Sequence, residues 1–166
     1  MIKIGFRPTQ FAIGSFERVL AEPIKHFRLF AGIAPTKVYW QFHIYMDDVF
    51  AAEGIPEWPA LAVSTIIQRL HLGFPPEHPI LERTGGFRAA VSEMGAPGFV
   101  FQTVPLGGES FTLQIGTTDP RFEWFQEGTP DMPARPVMPS DEYSRRELCL
   151  MMENVLVPTL EDVIDA

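Results

Sequence analysis

The sequence predicts an α+β fold, a small antiparallel β-sheet accompanied by helices and closed by a C-terminal helix. Three observations carry this. Phe99 to Leu106 and Ser110 to Thr117 are strand-like runs joined by Gly107-Gly108-Glu109, the pattern of a β-hairpin. Elsewhere apolar residues recur at helical spacing. Sixteen prolines and thirteen glycines then cut the 166 residues into short elements with many loops. A chain of this length fits one domain, 1–166, and buries roughly 70% of its unfolded surface. With 46% hydrophobic and 20% charged residues it has ample core material.

Taken in order, Ile2 to Phe6 alternate as a short strand does. Ser15 can cap a helix carrying Phe16, Val19, Leu20, Ile24, Phe27 and Phe30, which Pro23 should kink or split and Gly32 should end. Val38 to Phe50 is rich in aromatic and β-branched residues. Phe42, Tyr45, Met46, Val49 and Phe50 nevertheless fall at helical spacing, so a helix is expected. Gly54-Ile55-Pro56 breaks the chain, and Trp58-Pro59 opens a helical run through Leu61, Ile66, Ile67 and Leu70. After a proline-rich loop at 73–79, Thr84 is the expected N-cap of a helix through Phe87, Val91 and Met94, closed by Gly95 to Gly98.

Beyond the hairpin, Trp124 to Pro139 couples a turn, Gly128-Thr129-Pro130-Asp131, to an extended strip stiffened by Pro133, Pro136 and Pro139. Arg135 is held in that strip. Its guanidinium loses little freedom on meeting a carboxylate or a fork of carbonyls, which suits an assembly contact or a buried structural ion pair. Ser140 is a natural cap, and Asp141-Glu142 suit the positive end of the helix that follows. Leu148, Met151, Met152 and Val155 stripe that helix, Pro158 should interrupt it, and Leu160 to Ile164 should form a last short helix.

Charge and chemistry narrow the function. The net charge is −8, and residues from Asp141 onward carry seven acids against two bases, −5 of the total. Such a chain is unsuited to gripping a nucleic-acid backbone. No run reaches the ~20 apolar residues of a membrane helix, and MIKIGFRPTQ lacks a secretory profile, so cytoplasmic synthesis is expected. No two of His26, His43, His71 and His78 stand at i, i+4, there is no cysteine cluster, and neither Gly85-Gly86 nor Gly107-Gly108 fits a phosphate loop or dinucleotide fingerprint. No metal and no cofactor is expected. Asp47-Asp48 and Glu161-Asp162 point apart on a helix and read as solvated faces. Cys149, among Leu148, Leu150 and Met151, reads as a buried small hydrophobe without a nucleophile's context. No catalytic residue emerges, and an enzyme is not expected.

Three segments in order resemble the virion morphogenesis family of Mu-like phages. Trp58-Pro59-Ala60-Leu61 with Thr65 is similar to the family's tryptophan, leucine and threonine helix start. Ile80 to Arg88, with Leu81, Thr84 and Gly85, is similar to its isoleucine-leucine, threonine-glycine, apolar, arginine element. Gln126-Glu127-Gly128 and Met132-Pro133-Ala134-Arg135-Pro136 are similar to its glutamine, glycine and proline-alanine-arginine-proline strip. The order of the pieces is more specific than any one of them. The resemblance spans about 47–140, leaving an N-terminal arm and helix, 1–45, and an acidic helical tail, 141–166, uncovered. Phe125 stands where the family has histidine, and Val137 where it often has phenylalanine.

The resemblance implies an α+β domain with helices on a small antiparallel sheet, serving as one subunit of a ring at the junction of capsid and tail. The implied role is tail completion or termination and head-tail joining, located in the virion at the neck or head-proximal tail end. Implied partners are further copies of the chain and other neck and tail proteins, with DNA passing through the ring unread. Extended edges at the N-terminal strand and the proline strip could serve a neighbouring subunit. Trp58 and Arg135 are residue types enriched at interface hot spots, and equally at home in a core or an internal pair. Acids facing a DNA channel would repel the duplex. Two competing readings are a transient cytoplasmic assembly factor or chaperone not retained in the virion, and a small hydrolase built on Cys149 or a histidine-carboxylate pair.

Overall fold

The computed structural model describes residues 2–6, 23–77, 79–105, 111–139 and 141–164. Its elements are β1 (Ile2–Phe6), α1 (Pro23–Ala51), α2 (Val63–His71), α3 (Gly86–Ser92), β2 (Phe99–Pro105), β3 (Phe111–Thr117), α4 (Arg121–Glu127) and α5 (Glu142–Ile164). The expected α+β class is present: helices with a small antiparallel sheet and a C-terminal helix. The chain divides into two compact units, one of residues 1–42, 100–116 and 143–166, the other of 43–99 and 117–142.

The first unit holds the sheet, in the order β1-β3-β2. β1 runs antiparallel to β3 with Ile2 opposite Ile115, Ile4 opposite Leu113 and Phe6 opposite Phe111. Central β3 shows the expected alternation: Leu113 and Ile115 are fully buried, while Gln114 on the other face accepts from Gln102 of β2 at 2.7 Å. The hairpin strands match the sequence reading to within a residue, and the loop between them lies outside the described residues. Phe30, Ala34, Val38, Tyr39 and Phe42 of α1 supply much of this unit's interior, with Tyr39 edge-on to Phe101 of β2 at 5.6 Å. From α5 come Leu148, Met152, Leu156 and Val163.

Two expected breaks are absent. Helix α1, described from Pro23 onward, runs past Gly32 and Pro35 without ending, and the helix expected from Ser15 to Pro23 lies outside the described residues. A helical glycine costs only about 1 kcal/mol, and the buried positions Phe30, Ala34, Val38 and Phe42 on both sides outweigh it. The helical reading of Val38 to Phe50 holds. Likewise α5 continues through Pro158, carried by buried Leu156, Thr159 and Val163, with the Thr159 hydroxyl donating to the Val155 carbonyl at 2.7 Å. Cys149 is exposed, because Leu148 and Met152 take the inward positions of the stripe. The proposed caps Ser15 and Ser140 lie outside the described residues.

In the second unit, the end of α1 (Met46, Val49, Phe50) meets Trp58, Ile80, Phe87, Val91, Val137 and Met138 in a second core. An aromatic chain runs through it: Trp58 to Phe50 at 5.6 Å, Phe50 to Phe87 at 6.4 Å, Phe87 to Phe125 at 4.7 Å, all edge-on. Gly54 (φ 108) sits against the Trp58 ring so closely that a Cβ there would collide with the indole.

Candidate functional site

The second unit gathers the residues of the three resembling segments. Trp58 is 3% exposed, and its Nε1–H donates to the Pro136 carbonyl at 2.8 Å. Arg135, also 3% exposed, answers from the proline strip: its Nε donates to the Pro59 carbonyl at 2.9 Å and its Nη2 to the Ala60 carbonyl at 2.8 Å. Of the two roles the sequence allowed, the guanidinium takes the carbonyl fork within its own unit. Burial pushes its pKa below the ordinary arginine value, yet a guanidinium remains charged. Chain order explains the register: Pro133 and Pro136 keep the strip extended, so Arg135 and the Pro136 carbonyl reach the Trp58–Ala60 stretch together.

Gln126 holds the strip from behind. Its Oε1 accepts from the Val137 and Met138 amides, each at 3.2 Å, and its Nε2 donates to the Met138 carbonyl at 2.7 Å. One side chain thereby satisfies three backbone groups where prolines forbid a sheet ladder. Gly128 (φ 79) makes the turn possible: a Cβ would stand 2.8 Å from the Ala134 nitrogen and 2.9 Å from the Met132 carbonyl oxygen. Thr129 and Met132 close it with reciprocal backbone bonds of 2.8 and 3.1 Å.

The segments also enclose a cleft of about 360 Å³, lined by Leu61, Thr65, Leu81, Thr84, Pro133 and Arg135 among others. Six positions singled out from sequence thus share one depression. Two expectations are not met. Helix α2 starts at Val63, leaving Trp58 to Ala62 irregular, because the Pro59 and Ala60 carbonyls turn to Arg135. Gly85 in left-handed conformation (φ 71), rather than exposed Thr84, is the N-cap of α3. Leu81 itself has φ 63.

Several residues escaped the sequence reading. Helix α4 was not expected. Its signal was Asp119-Pro120: the Asp119 carboxylate accepts the Arg121 amide at 2.9 Å ahead of the first turn, and also pairs with the Arg121 side chain. Arg121 holds the Asp119 carboxyl below the ordinary aspartate value. Arg88 forks onto Glu82 and Asp47, each at 2.8 Å, and lies over the Phe50 ring, so Asp47 is paired rather than a solvated face. Those hydrogen bonds raise the Arg88 pKa. Arg69 is 3% exposed in α2, with Nη2 on the Pro79 carbonyl at 2.9 Å and Nη1 toward that of Glu77 at 3.4 Å. No spacing rule marks a buried arginine that bonds to loop carbonyls.

His43 donates from Nδ1 to the Ser92 carbonyl at 3.1 Å, with Nε2 3.7 Å from Asp47. Exposed His71 ends α2. Among the described residues no three His, Cys, Asp or Glu side chains are grouped to hold a metal ion, and no helix is long and apolar enough to cross a membrane. Comparisons with protein-family models, curated proteins and solved structures gave no significant match.

Proposed function

We propose that this chain is a structural virion protein of a tailed bacteriophage, acting in tail completion or termination and head-tail joining as one subunit of a ring at the neck. The observation that carries the reading is the mutual clamp of Trp58 and Arg135. Three segments that resemble the phage family in residue type meet in space, with Trp58 bonded to Pro136, Arg135 bonded to Pro59 and Ala60, and Leu81 and Thr84 lining the same cleft. Residues that resemble a family in order and also depend on one another physically support a shared architecture better than scattered identities do.

On this reading the motif residues serve shape and not catalysis, no cofactor is used, and the partners are further copies of the chain and neighbouring neck and tail proteins. DNA passes without being read. Deleting the gene is expected to leave full heads beside unattached or overlong tails. Mass spectrometry of purified virions should find the protein in the particle. Normal virions from the deletion would end the proposal, and absence from the particle would favour a transient assembly factor.

A further inference from the structure

The cleft beside the Trp58–Arg135 clamp is cationic on an acidic protein. Arg69, Arg83, Arg121 and Arg135 line it against a single acid, Asp131, a surplus of three positive charges on a chain of net charge −8. Among the described residues Arg121 is paired with Asp119, just outside the lining, which reduces the surplus to two. Arg69 and Arg135 are buried on backbone carbonyls, and the buried Arg69 Nε has no hydrogen-bond partner among the described residues. Exposed Arg83 rests its guanidinium over the Phe74 ring, 5.7 Å from the centroid, with no carboxylate among the described residues. Buried guanidinium groups with carbonyls but no counter-charge retain much of their desolvation cost, which a carboxylate at the cleft would offset. Leu61, Leu81, Phe87 and Phe125 give the depression apolar walls as well.

The chain carries a complementary surface. On α5, Leu150 (42% exposed), Asn154, Val157 (43% exposed) and Glu161 all face outward at helical spacing, two apolar side chains on a face that ends in a carboxylate one turn beyond Val157. We propose that the cleft is a carboxylate receptor whose occupant is this face of α5 from a second copy of the chain, with Glu161 entering toward Arg83. Apolar anchors ending in a charge match a cleft with apolar walls and a cationic end. The assignment rests on the homo-oligomeric reading and gives it a specific contact.

The test measures self-association of the full chain by analytical ultracentrifugation, comparing wild type with Arg83→Glu, Glu161→Arg and the double variant. Both side chains are exposed, so folding should be preserved. Each single change is expected to weaken association at least ~10-fold, as loss and reversal of one close interfacial charge pair requires. The double variant restores it. Because the double variant keeps the net charge at −8, recovery cannot come from global repulsion. A wild type that stays monomeric to ~100 μM, unchanged single variants, or a double variant no better than the singles would each overturn the proposal. Dissociation should be no greater in inorganic phosphate than in chloride of equal ionic strength. A phosphate-specific effect would assign the cleft to a free anion instead. These outcomes are independent of whether the protein is found in virions, so this contact can fail while the neck reading stands.

Discussion

Arg135 shows how one side chain can replace secondary structure. Residues 133–139 form no ladder, with a bend at Val137 and Met138, and the Trp58–Ala62 stretch forms no helix, so their backbone groups need side-chain partners. Arg135→Ala removes two charge-assisted bonds and strands the Pro59 and Ala60 carbonyls, a loss of about 2–4 kcal/mol by denaturant unfolding. Arg135→Lys should recover only part of this, because an ammonium cannot span both carbonyls with a planar fork. Full recovery by lysine would show that charge alone matters there. Asp119 gives a second residue-scale expectation. Its pKa is lowered by Arg121, so its contribution is complete above the ordinary aspartate range and lost as pH falls through the lowered value. Asp119→Asn should cost about 1–2 kcal/mol at neutral pH, with the difference from wild type vanishing in strong acid.

At the scale of elements, α4 and the proline strip stand or fall together through Gln126. Gln126→Glu keeps the oxygen facing the Val137 and Met138 amides but turns the Nε2 donor into an oxygen against the Met138 carbonyl. At neutral pH this should cost about 1–3 kcal/mol. Acidification protonates the carboxyl, restores a donor, and should narrow the gap to wild type. A gap that widens on acidification would refute the geometry. Legibility in the sequence follows the same division. The hairpin and the Gly128 turn were readable because strand alternation and glycine chemistry are local. The length of α1, the passage of α5 through Pro158 and the cap at Gly85 were not, since buried partners on distant elements overrode local breakers. Arg135 was recognisable as restrained, but its target was two carbonyls some 75 residues earlier, and carbonyls carry no sequence signature.

For the whole molecule, charge is the property that assembly must manage. Leu29, Ile33, Trp40 and Ile44 of α1, and Val63, Ile67 and Leu70 of α2, all leave large apolar side chains exposed. Copies of net charge −8 repel one another, which opposes indiscriminate association through such surface. The repulsion is concentrated in the tail, where residues from Asp141 onward hold −5 of the total. Solubility should therefore reach its minimum near the sequence pI of about 4.9, where repulsion vanishes while the apolar surface remains. Glu153→Lys with Asp162→Lys, both exposed, takes the net charge from −8 to −4, each change adding two units, and should move that minimum toward neutral pH. Turbidity against pH, read for both proteins at matched concentration and low salt, gives the answer. Because screening acts on exposed charges over ~10 Å at 0.1 M salt, the separation between the two curves should shrink as salt is added. Curves that keep their separation at high salt would instead place the effect in local structure along α5.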